Sequence, residues 1–200
     1  MDNMVTGKTI RALREARGMT QQTLAERMCI SAKTVSKWET GRGLPDIALI
    51  EPLAEALGAS VIELMRGEPV CNGNRGSNML RSRLYVCPCC GNVIHAAGEA
   101  VISCCGTTLP PLEPQKPDAD HALTVEPVED EHFLTLAHPM EKGHSIAFVA
   151  FVTGDRLQLV RLYPEGSAGT RMHLRGVGMV YWYCTEHGLF GQRAARGRLV

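Results

Sequence analysis

The chain has 200 residues, 44% of them hydrophobic and 21% charged, with 21 basic residues balancing 21 acidic ones. That length accommodates two modest domains, and the composition excludes a long disordered chain. No apolar run approaches the roughly 20 residues of a membrane span, and Met1-Asp2-Asn3-Met4 does not open a secretory signal, so a cytoplasmic protein without a membrane partner is expected.

Overall neutrality hides a segregation of charge. Residues 1–45 carry eight basic side chains against four acidic ones, and residues 113–144 carry eight acidic against two basic. Arginine returns at the end of the chain in Arg193, Arg196 and Arg198. Of the eight cysteines, Cys29 and Cys71 stand alone, five fall between Cys87 and Cys105, and Cys184 lies far downstream. Clustered thiols in a reducing compartment point to metal rather than to disulfides.

The punctuation of residues 5–67 predicts five helices. The first runs Thr6–Ala16 and ends at Gly18; Thr20 caps the second, Gln21–Met28; Ser31 caps the third, Ala32–Glu39, which stops before Gly41. Asp46 caps a fourth that runs to Leu57 ahead of Gly58, and Ser60 with Glu63 forms a capping box for a short fifth. Helices two and three, joined at Cys29-Ile30, have the spacing of a helix-turn-helix. The third would present Ala32, Lys33, Ser36 and Lys37 to the DNA major groove, with Gln21 and Arg42 holding phosphate oxygens. Leu24, Ala25, Val35 and Trp38 read as core.

Thr20–Met28, Ile30-Ser31, Thr34–Arg42 and Leu44-Pro45-Asp46 together resemble the phage-repressor/Cro class of regulators, the XRE type. The resemblance implies a sequence-specific transcription regulator that binds double-stranded DNA as a homodimer. It departs from the class at the turn, where Cys29 stands in place of the usual glycine.

Residues 68–83, with Gly73 and Gly76 among asparagines, read as a linker. Residues 84–113 then hold Cys87-x-x-Cys90 and Cys104-Cys105, four thiolates on two short loops that suit tetrahedral iron or zinc equally. Cys89 lies between ligands and is not counted among them. This unit resembles the desulforedoxin-like module of desulfoferrodoxins, which implies one iron.

Pro110, Pro111, Pro114 and Pro117 form an extended connector, and the remainder has the rhythm of an antiparallel sandwich, with apolar runs at Ile146–Thr153, Leu157–Tyr163 and Val177–Cys184. Within it, His138-Pro139-Met140-Glu141-Lys142-Gly143-His144 and Tyr183-Cys184-Thr185-Glu186-His187-Gly188-Leu189 place three imidazoles and a thiolate, and His121 offers a fourth imidazole. Four nitrogens and one sulfur suit redox-active iron. Residues 118–193 resemble the superoxide reductase domain of the same family, which implies an immunoglobulin-like fold and iron held by His121, His138, His144, Cys184 and His187. Where that family has a Glu-Lys pair before the first histidine, this chain has Ala119-Asp120, so any reduction of superoxide is expected to be weak. His132 is the substitute for His121 if the latter fails.

The expected architecture is therefore multidomain α + β: an all-α five-helix helix-turn-helix domain, a small four-cysteine module, and an immunoglobulin-like antiparallel β-sandwich. Two mononuclear iron sites, with zinc an alternative at the four cysteines, would sense superoxide or another small oxidant, oxygen or iron supply. The alternative is a superoxide reductase that carries a DNA-binding module. No catalytic residue is assigned.

Overall fold

A computed structural model describes residues 3–67 and 72–200. The start of the expected linker, including Cys71, lies outside the described residues. The chain divides at residue 71 into two compact units. Among the described residues no helix is long and apolar enough to cross a membrane.

The first unit is all helical: α1 (Asn3–Ala16), α2 (Gln21–Arg27), α3 (Ala32–Glu39), α4 (Ile47–Leu57) and α5 (Val61–Arg66). Each predicted cap forms. Thr20, Ser31, Asp46 and Ser60 accept backbone N–H groups in the first turns of α2, α3, α4 and α5, and Glu63 closes the capping box. Gly58 and Gly67 end the last two helices in the left-handed conformation. Two ends differ from expectation: α1 starts at Asn3 rather than Thr6, and Met28 caps α2 instead of extending it.

Ile10, Leu13, Leu24, Ala25, Val35, Trp38, Leu53, Leu57 and Leu64 make the core of this unit. Gly7 lets α1 touch α3: a Cβ there would lie 2.3 Å from the Trp38 carbonyl oxygen. Arg14 and Glu39 form an ion pair at 2.6 Å, with side chains only 9% and 3% exposed, and so bolt α1 to the end of α3. Cys29 occupies the turn at φ 53°, and its N–H bonds to the Glu26 carbonyl.

The second unit begins with a strapped segment. Asn74, buried, donates to the carbonyls of Asn78 and Ala97 and accepts from the Asn78 N–H. Two hairpins follow: β1 (Arg83–Val86) with β2 (Val93–Ala96), and β3 (Ile102–Cys104) with β4 (Thr107–Leu109). The sandwich then has a three-stranded sheet of β5 (Leu123–Val128), β6 (Glu131–Leu136) and β9 (Gly169–Met172). Its other sheet has β7 (Ile146–Val152), β8 (Leu157–Arg161), β10 (Val177–Cys184), β11 (Gly188–Ala195) and β12 (Arg198–Leu199), ordered β12-β11-β10-β7-β8.

Strand alternation decides what faces what. On β10, Gly178, Val180, Trp182 and Cys184 are buried, and Val180, Trp182 and Cys184 pack with Leu134, Leu136 and Met172 of the smaller sheet. On the opposite face, Phe148, Ala150 and Leu189 pack under Leu84 of the first hairpin. The apolar run expected to reach Tyr163 ends as a strand at Arg161, and the Leu162 N–H makes one last in-register bond to the Ala147 carbonyl of β7.

Candidate metal centres and nucleic-acid face

On α3 the burial of Val35 and Trp38 turns Lys33 and Lys37 to solvent, with Ala32 and Ser36 half-buried beside them. Arg42, just beyond α3, is also exposed. Gln21 is the exception among the six expected contacts. Its side-chain amide donates to Glu39 at 2.8 Å, so the Arg14–Glu39 pair orients it at the start of α2.

The four-cysteine set comes together at the tips of the two hairpins. Cys87 follows β1, Cys90 lies in the β1–β2 turn, Cys104 ends β3, and Cys105 turns the chain at φ 51°. All four sulfurs lie within 4.8 Å of one another. Cys90 and Cys104 are 3.7 Å apart, Cys104 and Cys105 3.9 Å. The backbone N–H of Cys90 and then that of Cys89 pull the Cys87 thiol down to about 6, while the neighbouring Cys90 and Cys87 thiols push Cys105 up to about 12. Four sulfurs this close cannot all ionise unless a cation takes their charge, so the donors fit a thiophilic ion. Cys89 is exposed and stands outside the set.

The second set gathers residues from three loops. His121 arrives just ahead of β5, His138 and His144 lie in the β6–β7 loop, and Cys184 and His187 flank the β10–β11 turn. Their ligand atoms also fall within 4.8 Å of one another. Cys184 Sγ is 3.5 Å from His138 Nε2 and 3.4 Å from His187 Nδ1, and His187 Nδ1 is 3.2 Å from His121 Nε2. His144 Nε2 is buried and has no hydrogen-bond partner among the described residues. An orphaned nitrogen beside a buried sulfur and three other imidazoles is the arrangement a bound cation would satisfy, and the set fits one.

Residues that the motifs did not single out hold these loops. Thr185 receives the Ser145 N–H on its hydroxyl at 3.1 Å and donates that hydroxyl to Gly143 at 3.1 Å. Glu141 and His144 exchange backbone bonds at 3.0 and 3.1 Å, closing the loop between the two histidines. Gln115, on the proline-rich connector, pairs with β11 through Leu189 and Gly191, and its amide donates to the His187 carbonyl at 2.9 Å. Asp118 lies 2.6 Å from His121 Nδ1, and that contact holds its carboxyl below the usual range. Thr185 sits inside a quoted motif, whereas Gln115 and Asp118 carry no local signal.

His132 is not in the set. Its ring packs against Gly197 at the C-terminal hairpin, where a Cβ would meet its Nε2. Around the five donors Asp118, Asp120, Glu141 and Glu186 are exposed, and the nearby Lys142 leans toward Glu165 at 3.6 Å. Desolvation lowers the His138 imidazole, which favours the neutral, ligating form.

Comparison with known proteins follows the same division. Residues 10–64 match the Helix-turn-helix family. The chain is 31% identical over 65 residues to the HTH-type transcriptional activator BcrR of Enterococcus faecalis, covering 32% of each chain. It is 36% identical over 56 residues to a desulfoferrodoxin of Clostridium acetobutylicum, 28% of this chain and 45% of that one. It therefore spans less than half of those two relatives. A desulfoferrodoxin of Syntrophotalea carbinolica is 30% identical over 118 residues, 54% of this chain and 92% of the relative.

Proposed function

This chain belongs to the desulfoferrodoxin family and carries an XRE-type helix-turn-helix domain ahead of that region; from this premise we propose that it is a DNA-binding transcription regulator whose iron centres report oxidant, oxygen or iron supply. One observation carries the reading. The exposed Lys33/Lys37 face of α3 and the five converging donors belong to one chain, and the position that would attract an anion is acidic Asp120.

In this reading Lys33, Ser36, Lys37 and Ala32 face base edges and phosphates, while Arg42 and Gln21 hold the backbone of double-stranded DNA. A homodimer places two copies of α3 on half-sites about one helical turn apart. His121, His138, His144, Cys184 and His187 hold one iron, and Cys87, Cys90, Cys104 and Cys105 hold a second, a site that also accepts zinc. Iron bound there supplies one-electron exchange with a small oxidant. Cys184, fully buried, contributes a thiolate shielded from water, and the Thr185 bonds transmit any shift of the Cys184–His187 turn to the histidine loop. The setting is the cytoplasm.

The test uses the full chain. Genomic site selection and DNA titration are measured for the ferrous and oxidised protein, and for the triple variant Lys33→Ala, Ser36→Ala, Lys37→Ala. Affinity should fall steeply with salt, change with iron state, and be lost in the triple variant. Unchanged site selection in the triple variant overturns the DNA assignment, and equal affinity in both iron states overturns the sensor. The complete donor set favours a second reading, a superoxide reductase with a DNA-binding module. That reading wins if the wild type consumes superoxide near the diffusion limit.

A further inference from the structure

We propose that Asp118 is the positioning carboxylate of the five-donor centre, holding His121 as the tautomer protonated at Nδ1 so that Nε2 is the atom offered to the metal. This rests on the reading of the five donors as a metal site and adds a residue that no motif contains.

A single oxygen of Asp118 does both parts of the work. Its Oδ1 lies 2.6 Å from His121 Nδ1 and accepts the His121 backbone N–H at 2.9 Å. The ring so held is 4% exposed and stacks on Phe190, with centroids 4.2 Å apart at 16°. An ionised carboxylate accepts hydrogen bonds and cannot donate them, so the ring proton sits on Nδ1. The lone pair of Nε2 then points at His187 Nδ1, 3.2 Å away, inside the donor set.

The three histidines that present Nε2 differ in what backs them. His138 Nδ1 faces the Pro139 carbonyl at 2.6 Å, and His144 Nδ1 faces Glu186 at 3.5 Å. Among the described residues, only His121 of the three has a charged acceptor at short hydrogen-bond distance. A carboxylate behind an imidazole strengthens the opposite nitrogen as a donor and fixes the ring, and such partners are worth about 10–100-fold in metal affinity. Asp118 is itself 61% exposed, so this is achieved without burying a lone carboxylate.

The competing explanation is a carboxylate that merely closes the 118–121 turn. Asp118→Asn separates the two, because the amide oxygen still accepts the backbone N–H but carries no charge. Nitrogen-15 NMR of the metal-free full chain reads which His121 nitrogen is protonated, and chelator competition under argon reads ferrous-ion affinity. The wild type should be protonated at Nδ1. Asp118→Ala should mix the tautomers, both variants should bind ferrous ion about 10–100-fold more weakly at this centre, and Asp118→Glu should recover part of the loss. A retained tautomer with affinity within twofold of wild type in Asp118→Asn overturns the proposal, and that variant decides the matter if Asp118→Ala does not fold. Should wild-type protein take no ferrous ion at this centre, the metal reading fails; the His121 tautomer then supports or overturns the role of Asp118 by itself.

Discussion

Gly7 and Cys29 sit at opposite ends of the tolerance for a side chain. At Gly7 the Trp38 carbonyl oxygen occupies the space of a Cβ at 2.3 Å, and backbone on both sides leaves nothing free to yield. Gly7→Ala gains about 1 kcal/mol of helix propensity but forces α1 from α3, for a net loss of about 1–3 kcal/mol. A lower thermal midpoint for the helical unit would show it, and an unchanged or raised midpoint would mean the helices can part freely. Cys29 has the reverse problem: its backbone is left-handed at φ 53°, where a Cβ is a cost. Cys29→Gly should stabilise the unit by about 0.5–1 kcal/mol, the residual after the unfolded chain gains freedom. Denaturant unfolding measures that difference, and destabilisation would mean the Cys29 side chain makes a favourable contact.

The two candidate metal centres differ at the level of elements. The four-cysteine centre is local: two hairpin tips, 87–90 and 104–105, supply every donor, and Leu109, Tyr85 and Cys87 form its own small core. A unit this small would owe much of its order to an ion bound there. Cys104→Ser should therefore remove one equivalent of metal, counted by elemental analysis, while the other centre stays filled. Full retention of two equivalents would show that Cys104 is not a ligand. The five-donor centre is assembled from separate elements instead. The proline connector, held to β11 by Gln115, delivers His121 to loops that Thr185 ties together. Proline suits that connector because it resists collapse and leaves few N–H groups to satisfy.

For the molecule as a whole, the charge around the five donors sets how readily an anion would approach them. Asp118, Asp120, Glu141 and Glu186 are exposed there, and an incoming anion meets their field. Reversing one charge at about 10 Å changes the approach energy by roughly 0.8 kcal/mol in water, or about fourfold. Asp120→Lys should accelerate the reaction of ferrous protein with superoxide by about that factor at low salt, with the gain fading as the Debye length shrinks toward 10 Å. Stopped-flow absorption follows it, and a rate indifferent to the substitution would remove electrostatic repulsion as the brake.

The helical unit could be read from residues alone, because caps and stop signals are local: Thr20, Ser31, Asp46 and Ser60 each meet an N–H two or three residues onward. The cysteine pairs were equally plain, since two hairpins bring near neighbours together. Strand runs were legible too, although their ends were not: the β8 run stops as a strand at Arg161, two residues short of Tyr163. The partners of the five histidine and cysteine donors were a different matter. Gln115 reaches His187 across 72 residues and Thr185 reaches Ser145 across 40, and Gln21 turns to Glu39 because Arg14 has drawn that carboxylate inward. Such contacts depend on which strands pair and which loops meet, so composition and spacing carry no trace of them. The sequence determined the donors and the helices; only tertiary packing decided which atoms of those donors face one another, because ring orientation is set by distant hydrogen bonds and stacking.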